Sequence, residues 1–322
     1  MLKYKPLIEE NYNLKISHIQ QIQGGWSALA YRIISENGNF FLKAFDKHRH
    51  TTKECVHKID DYMPVVMALA ENRHLCEKIS VPILTVSGKY KVENDDFVFI
   101  VFPFIDGETP KNHKLSEHEL GCLAEIISEL HSYRETDFSS FAHKETFDAS
   151  ICAKLLRIMN QECLSDIGLC DIFSQYKSFL LSGIAEIKRL SEDLRRANLD
   201  FTLCHTDLHG WNILLADKLI LLDWEGLKLA PAEADLFAFS EGFILDYAWK
   251  HFFASYKKAR PNYYVNQNAI TFYRLHRRLE DIFEFAESIL FDGLSEEDII
   301  ASLDCLNREC SALSMDLMLG KG

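Results

Sequence analysis

Within its first 105 residues the chain spells strands joined by tight turns, and after Gly107 it spells mostly helix. An apolar run in His18–Gln23 meets a Gly24-Gly25 turn and a second run, Leu29 to Ile34. The turn Glu36-Asn37-Gly38-Asn39 then leads into Phe40-Phe41-Leu42-Lys43-Ala44-Phe45. Strand, turn, strand, turn, strand is a meander with hairpin chemistry at both corners. Strands gathered at one end and helices at the other define an α+β chain rather than an alternating α/β one. Residues 52–77 have helical spacing (Val56, Ile59, Met63, Val66, Met67, Ala70), with Pro64 predicting a kink or a helix start. A hairpin is predicted over Ile83–Val86 and Lys89–Val92. A buried strand follows over Phe97–Phe102, ending in Pro103-Phe104-Ile105-Asp106-Gly107.

The remainder reads as helices around a small strand insert. Ser116 and Glu119 form a capping box ahead of Leu120, Leu123, Ala124, Ile127 and Leu130. Residues 148–196 are helical with breaks predicted near Gly168 and Gly183. Strand signals return at Phe201–Cys204 and Leu219–Leu222, and 271–290 carries the clearest apolar helical stripe. The boundary falls at Asp106-Gly107, giving an N-terminal lobe over 1–105 and a helical C-terminal lobe over 106–322. Fourteen Gly and seven Pro are too few for a loop-rich all-β fold. Nine cysteines without a CxxC pair argue against a disulfide framework or structural zinc and for a reducing cytoplasm. The polar N-terminus and the lack of an apolar run near 18 residues predict neither a signal peptide nor a membrane span. A net charge of −13 speaks against nucleic acid as a partner.

The chemistry concentrates in His205-Thr206-Asp207-Leu208-His209-Gly210-Trp211-Asn212, which follows an apolar strand, and in Asp223-Trp224-Glu225, which closes another. Phosphoryl transfer needs a carboxylate to accept the proton of an attacking hydroxyl. It also needs oxygen ligands to hold Mg²⁺ against the phosphates. The step from Asp207 to Asn212 reproduces the kinase pattern H-R-D-x-x-x-x-N, and Asp223 stands where the second loop's Asp belongs.

LCHTDLHGWNILL…LILLDWE resembles the signature of the aminoglycoside phosphotransferase and choline kinase family, which lacks the catalytic-loop Arg of protein kinases. Within it, the spectinomycin phosphotransferase branch is among the nearer ones. The resemblance covers nearly the whole chain and implies a two-lobed protein-kinase-like fold binding ATP and Mg²⁺. It implies that Asp207 orients the acceptor hydroxyl and takes its proton, and that Asn212 and Asp223 bind Mg²⁺. By the same resemblance Lys43 pairs with the α- and β-phosphates, and Asp60, ahead of Asp61 and Glu54, is its acidic partner. Gly24, Gly25 and Ser27 form the loop over the phosphates. Phe102 to Phe104 are the hinge whose backbone bonds the adenine. Pro103 has no N–H, so Phe104 or Ile105 must donate there. The acceptor is a small molecule, and the assembly a monomer or homodimer. Only Gly226–Ala232 separates Glu225 from the next helix, too short a platform for a peptide substrate.

Other readings stand beside these. His205-x-Asp-x-His209 suits a metal pair only on a helix, and Gly210 after a strand argues for a loop, so a zinc hydrolase is the weaker alternative. Glu225 is equally a second metal ligand or a polar cap, and Asp235 a brace for the loop. Glu280 and Asp281 belong to a salt-bridged helix face with Arg277 and Arg278, or bind a substrate amine. A metabolic alcohol kinase and a non-catalytic nucleotide-binding module remain as rivals. Residues 1–105 carry net +1 and residues 106–322 net −14, a balance that favours a cationic acceptor of the aminoglycoside or aminocyclitol type.

Overall fold

The computed structural model describes residues 1–322 apart from 23–27, 50–51, 111–113, 139–140, 142, 161–167, 241–242, 244 and 320–322. Contacts divide the chain into two compact units. The first comprises Met1–Glu129, Thr136–Ala142 and Asp207–Leu227; the second comprises Leu130–Glu135, His143–Thr206 and Lys228–Gly322. These units do not follow the composition break at 105/106, because the 207–227 segment bonds to the backbone of 78–80 and 108.

The first unit holds the predicted meander. Strands β1 (Ile16–Ile22), β2 (Leu29–Ser35) and β3 (Gly38–Asp46) join β4 (Val92–Glu93) and β5 (Phe97–Pro103). All pairings are antiparallel, in the order β1-β2-β3-β5-β4. Alternation sorts β3 into two faces. Leu42 and Ala44 are fully buried with Ile33, Phe99 and Val101, and helix α1 (Lys5–Tyr12) covers them with Ile8 and Tyr12. Lys43 lies on the opposite face, cross-strand from Ala30 and Ile100. Helix α2 (Lys53–Ala70) runs through Pro64 rather than starting at it. The 83–86 stretch is not a strand: Ile83 donates to Val101 and Thr85 to Lys89, leaving only the short β4 in the sheet.

Helix α3 (Glu117–Leu130) starts at the predicted capping box. The Ser116 N–H donates to Glu119 Oε2 at 2.7 Å, and the Glu119 N–H to Ser116 Oγ at 3.3 Å. Strands β6 (Thr202–Cys204), β7 (Ile213–Leu215), β8 (Leu219–Leu221) and β9 (Lys228–Ala230) form two ladders, β7 with β8 in the first unit and β6 with β9 in the second. Gly107 is required by close approach: a Cβ there would lie 2.7 Å from the Leu215 carbonyl oxygen.

The second unit is mainly helical: α4 (Ser150–Met159), α5 (Leu169–Arg196), α6 (Glu233–Leu236), α7 (Trp249–Ala259), α8 (Gln267–Phe291) and α9 (Glu296–Leu319). Its long helices α5, α8 and α9 pack on one another. Helix α5 passes through Gly183 without the predicted break. That glycine is a packing residue, and a Cβ there would meet Leu313 at 3.3 Å. Among the described residues, no helix is long and apolar enough to cross a membrane.

Candidate functional site

Strand β6 ends in a loop that its own backbone alone would not hold. Thr206 sits at φ 69°, a left-handed conformation that a β-branched residue rarely adopts. Such strain persists only where the surroundings impose it. Here Asp235, fully buried on α6, accepts the His205 N–H at 3.0 Å and the Thr206 N–H at 2.5 Å. The bracing reading of Asp235 matches this geometry.

Asp207 and Asn212 meet in the next turn. Asn212 Nδ2 donates to the Asp207 backbone oxygen at 3.0 Å and to its Oδ2 at 2.8 Å. The Trp211 N–H donates to His209 Nδ1 at 3.2 Å, and His209 Nε2 lies 3.3 Å from the same Oδ2 and 3.2 Å from Asn212 Nδ2. The imidazole thus packs against both residues, and the five-residue step from Asp207 to Asn212 closes on itself through the Asn212 amide. This is loop geometry, as Gly210 predicts, and not a helical pair of histidine ligands.

Hairpin β7/β8 carries the chain from Asn212 to Asp223. The Leu222 N–H donates to the Asn212 carbonyl at 2.9 Å, clamping both ends together. Asp223 is also left-handed, at φ 59°. Its two carboxylate oxygens each lie 2.9 Å from Lys43 Nζ, and Glu225 Oε1 lies 2.5 Å from it. Burial opposes the Lys43 charge, but the two carboxylates outweigh it and hold the ammonium above its ordinary range. Burial, then the Asp223 charge, pushes Glu225 up against the pull of Lys43, and Asp207 adds to the push. That coupling brings Lys43, Asp223, Glu225 and Asp207 into one electrostatic neighbourhood within the first unit.

Asp60 is not in it. Ile59, Tyr62, Met63 and Val66 form the buried stripe of α2, and Asp60 falls off that stripe. Its carboxylate pairs with Lys91 at 2.7 Å and is 61% exposed. Among the described residues of α2, Tyr62 feels the site: its phenol is raised by burial and then by Glu225 and Asp223. A helical wheel placing Tyr62 on the apolar stripe shows it buried but gives no sign of its neighbours. Phe41 and Phe102 lie cross-strand at 6.2 Å between ring centres. The Phe104 N–H is spent on the Asn39 carbonyl at 3.1 Å, so of the two hinge donors considered Ile105 remains. Gly24, Gly25 and Ser27 lie outside the described residues.

The fold is the one that kinase-like phosphotransferases have. The model of the phosphotransferase enzyme family APH matches residues 18–267, most of the chain. The chain belongs to that family, and with it to the small-molecule kinases that phosphorylate an alcohol group. No curated protein matches it by sequence. Among solved structures it is similar to spectinomycin phosphotransferase APH(9)-Ia in complex with ADP and spectinomycin, at 19% identity over 98% of both chains and a TM-score of 0.75. It is similar to the microcompartment-associated aminopropanol kinase (14% identity, 98% of both chains, TM-score 0.65). A third likeness is to the choline kinase LicA from Streptococcus pneumoniae (15% identity, 98% of both chains, TM-score 0.61).

Proposed function

We propose that the chain transfers the γ-phosphoryl group of ATP to a hydroxyl of a small, amine-bearing acceptor of the aminoglycoside or aminocyclitol type. The observation that carries this reading is the closed constellation in the first unit. Asp207 is oriented by Asn212, with His209 3.3 Å away, beside a Lys43 held by Asp223 and Glu225. In it, residues 1–105 supply the nucleotide lobe and 106–322 the catalytic loops and the acceptor site.

The residues present suit a hard dication. Asp223 and Glu225 supply carboxylate oxygens. Asn212, with its amide nitrogen turned to Asp207, has its carbonyl end as a further oxygen donor. Asn212 and Asp223 would hold Mg²⁺, with Glu225 as the second carboxylate. The bound ion would neutralise charge on the β- and γ-phosphates. Lys43, now paired with those carboxylates, would turn its ammonium to the α- and β-phosphate oxygens. Asp207 would align the acceptor hydroxyl with the terminal phosphorus and take its proton as the new P–O bond forms. The hinge offers one main-chain donor, at Ile105.

The acceptor class rests on the −14 charge of residues 106–322 and on the neighbours. Spectinomycin, choline and aminopropanol are named for three of them, and each is an alcohol that carries an amine or a quaternary ammonium. A metabolic amino alcohol is the second reading, favoured by the latter two. An ADP-release assay over spectinomycin, aminoglycosides, choline, aminopropanol and neutral sugars tests both. Acceptor-dependent turnover with at least one amine-bearing alcohol is expected, and flat rates across all of them refute the assignment.

A further inference from the structure

Ile105, assigned above as the main-chain donor to the nucleotide base, lies in a segment that bridges two ladders of the first unit. At one end Pro103 still pairs with Phe40 of β3. At the other, Glu108 and Leu215 exchange backbone bonds of 2.9 and 2.8 Å. Between them the Phe104 N–H donates to the Asn39 carbonyl at 3.1 Å. The Phe104 side chain is held from a different strand. The guanidinium of Arg32, on β2, lies over its ring, with Cζ 4.2 Å from the ring centre.

Arg32 stands on the Lys43 face of the sheet. It is cross-strand from Phe41, which is two residues from Lys43 and so shares its face. Phe41 in turn is cross-strand from Phe102. Tyr31 and Ile33, on either side of Arg32, belong to the core on the opposite face. The stack on Phe104 comes at a cost. Nε of Arg32 is buried and has no hydrogen-bond partner among the described residues. A buried N–H without an acceptor is unfavourable, and a half-buried arginine could swing its head into water to avoid it. What offsets the loss is the attraction between a cation and the face of an aromatic ring, which is strongest where water is excluded. Nε is covered, so it is not the atom that reaches a ligand. The contact with Phe104 is itself what the side chain does.

We propose that Arg32 is a positioning residue for the hinge: stacked on Phe104, it fixes the segment that presents the Ile105 N–H to the base. That N–H shares one planar peptide unit with the Phe104 carbonyl, so its direction is set at the Phe104 α-carbon. Asn39 holds Phe104 by its backbone and Arg32 holds it by its ring. With both in place the peptide has little freedom to turn. The inference rests on the proposed nucleotide site for its effect on binding, but the clasp is measurable without any nucleotide.

The experiment compares the full chain with Arg32→Met, Phe104→Leu and the double variant. Methionine keeps an apolar stem without the cation, and leucine keeps apolar bulk without the ring. Hydrogen exchange at the Phe104 amide is read against that at the Glu108 amide, which the β7 ladder holds independently. Calorimetry gives the affinities for ADP and for inorganic tripolyphosphate, which has no base. Each single variant is expected to speed exchange at Phe104 by about tenfold and leave Glu108 within about twofold. Each should weaken ADP by about tenfold and tripolyphosphate by less than about twofold, because only the base uses the hinge. The double variant should be no more than about twofold worse than either single one, since both remove the same contact. If an apolar variant does not fold, Arg32→Lys carries the test, because it keeps the charge but loses the flat fork. It should move both readouts in the same direction by a smaller factor. Parental exchange at Phe104 in every folded variant overturns the proposal, as does equal weakening of both ligands. So does weaker ADP binding in Arg32→Met with parental binding in Phe104→Leu, which would make Arg32 a direct contact of the base. A parent chain that binds neither ligand refutes the nucleotide site, and the exchange rates alone then decide the clasp.

Discussion

Replacing Asp235 with alanine tests how much of the shape of the loop leading into Asp207 depends on one buried carboxylate. The substitution removes the acceptor of three donors: the His205 N–H, the Thr206 N–H and His131 Nε2–H. Each buried donor left without a partner costs about 1–3 kcal/mol. Three of them would sum to about 3–9 kcal/mol, but water entering the vacated volume offsets part of it. The net loss therefore falls toward the lower end of that range, about 3–5 kcal/mol. For a chain of this size such a loss lowers the melting temperature by on the order of 10 °C. Thermal melts followed by circular dichroism measure it. Asp235→Asn isolates the charge: it keeps one oxygen acceptor but turns a donor toward a donor, so about half the loss is expected. If Asp235→Ala melts within about 2 °C of the parent, the strained loop is held by something else and the bracing argument fails.

Asp207→Ala is expected to lower acceptor-dependent ADP formation by about 10²–10⁴-fold. The affinity for MgATP, read by calorimetry, should stay within about threefold, since Lys43 and Asp223 remain. Burial, against the pull of Arg277 at 2.9 Å, pushes Asp281 up to about 6 from 3.8. Its native state therefore holds a proton more tightly than the unfolded chain, and stability falls as pH rises from about 4 to 6. Asp281→Asn cannot ionise, so relative to the parent it should be about 1–3 kcal/mol better at pH 8 than at pH 3.5. Urea melts at the two pH values measure it, and equal differences contradict the burial argument. Gly183→Val should cost about 1–3 kcal/mol by driving its side chain into Leu313, and a variant as stable as the parent would show that α9 yields easily.

Much of this was legible in the residues, for local reasons. The meander shows because alternation and turn chemistry are local, and Asp207, Asn212 and Asp223 show because their spacing is fixed by one loop and one hairpin. What failed depended on rotation or on distance. Asp60 was the natural partner for Lys43 by its place after β3, yet a turn of 100° per residue sends it to Lys91. Gly183 looked like a breaker because sequence alone does not show Leu313 packed against it. The 83–86 stretch has strand composition, but its bonds to Val101 and Lys89 follow a turn. His131 gave no signal, since its partners Asp235 and Tyr256 lie 104 and 125 residues away.

The β7/β8 hairpin, described above as a connector, also acts as a ruler. Asn212 stands immediately before its first strand and Asp223 just after its second. The ladder Ile213↔Leu221 to Leu215↔Leu219, with the Leu222 N–H on the Asn212 carbonyl, sets their separation. The number of residues in the tip, Ala216-Asp217-Lys218, does not enter that distance. A peptide tag inserted beside the exposed Asp217 would leave Asn212 and Asp223 in register, whereas one residue added within either strand would turn one of them away.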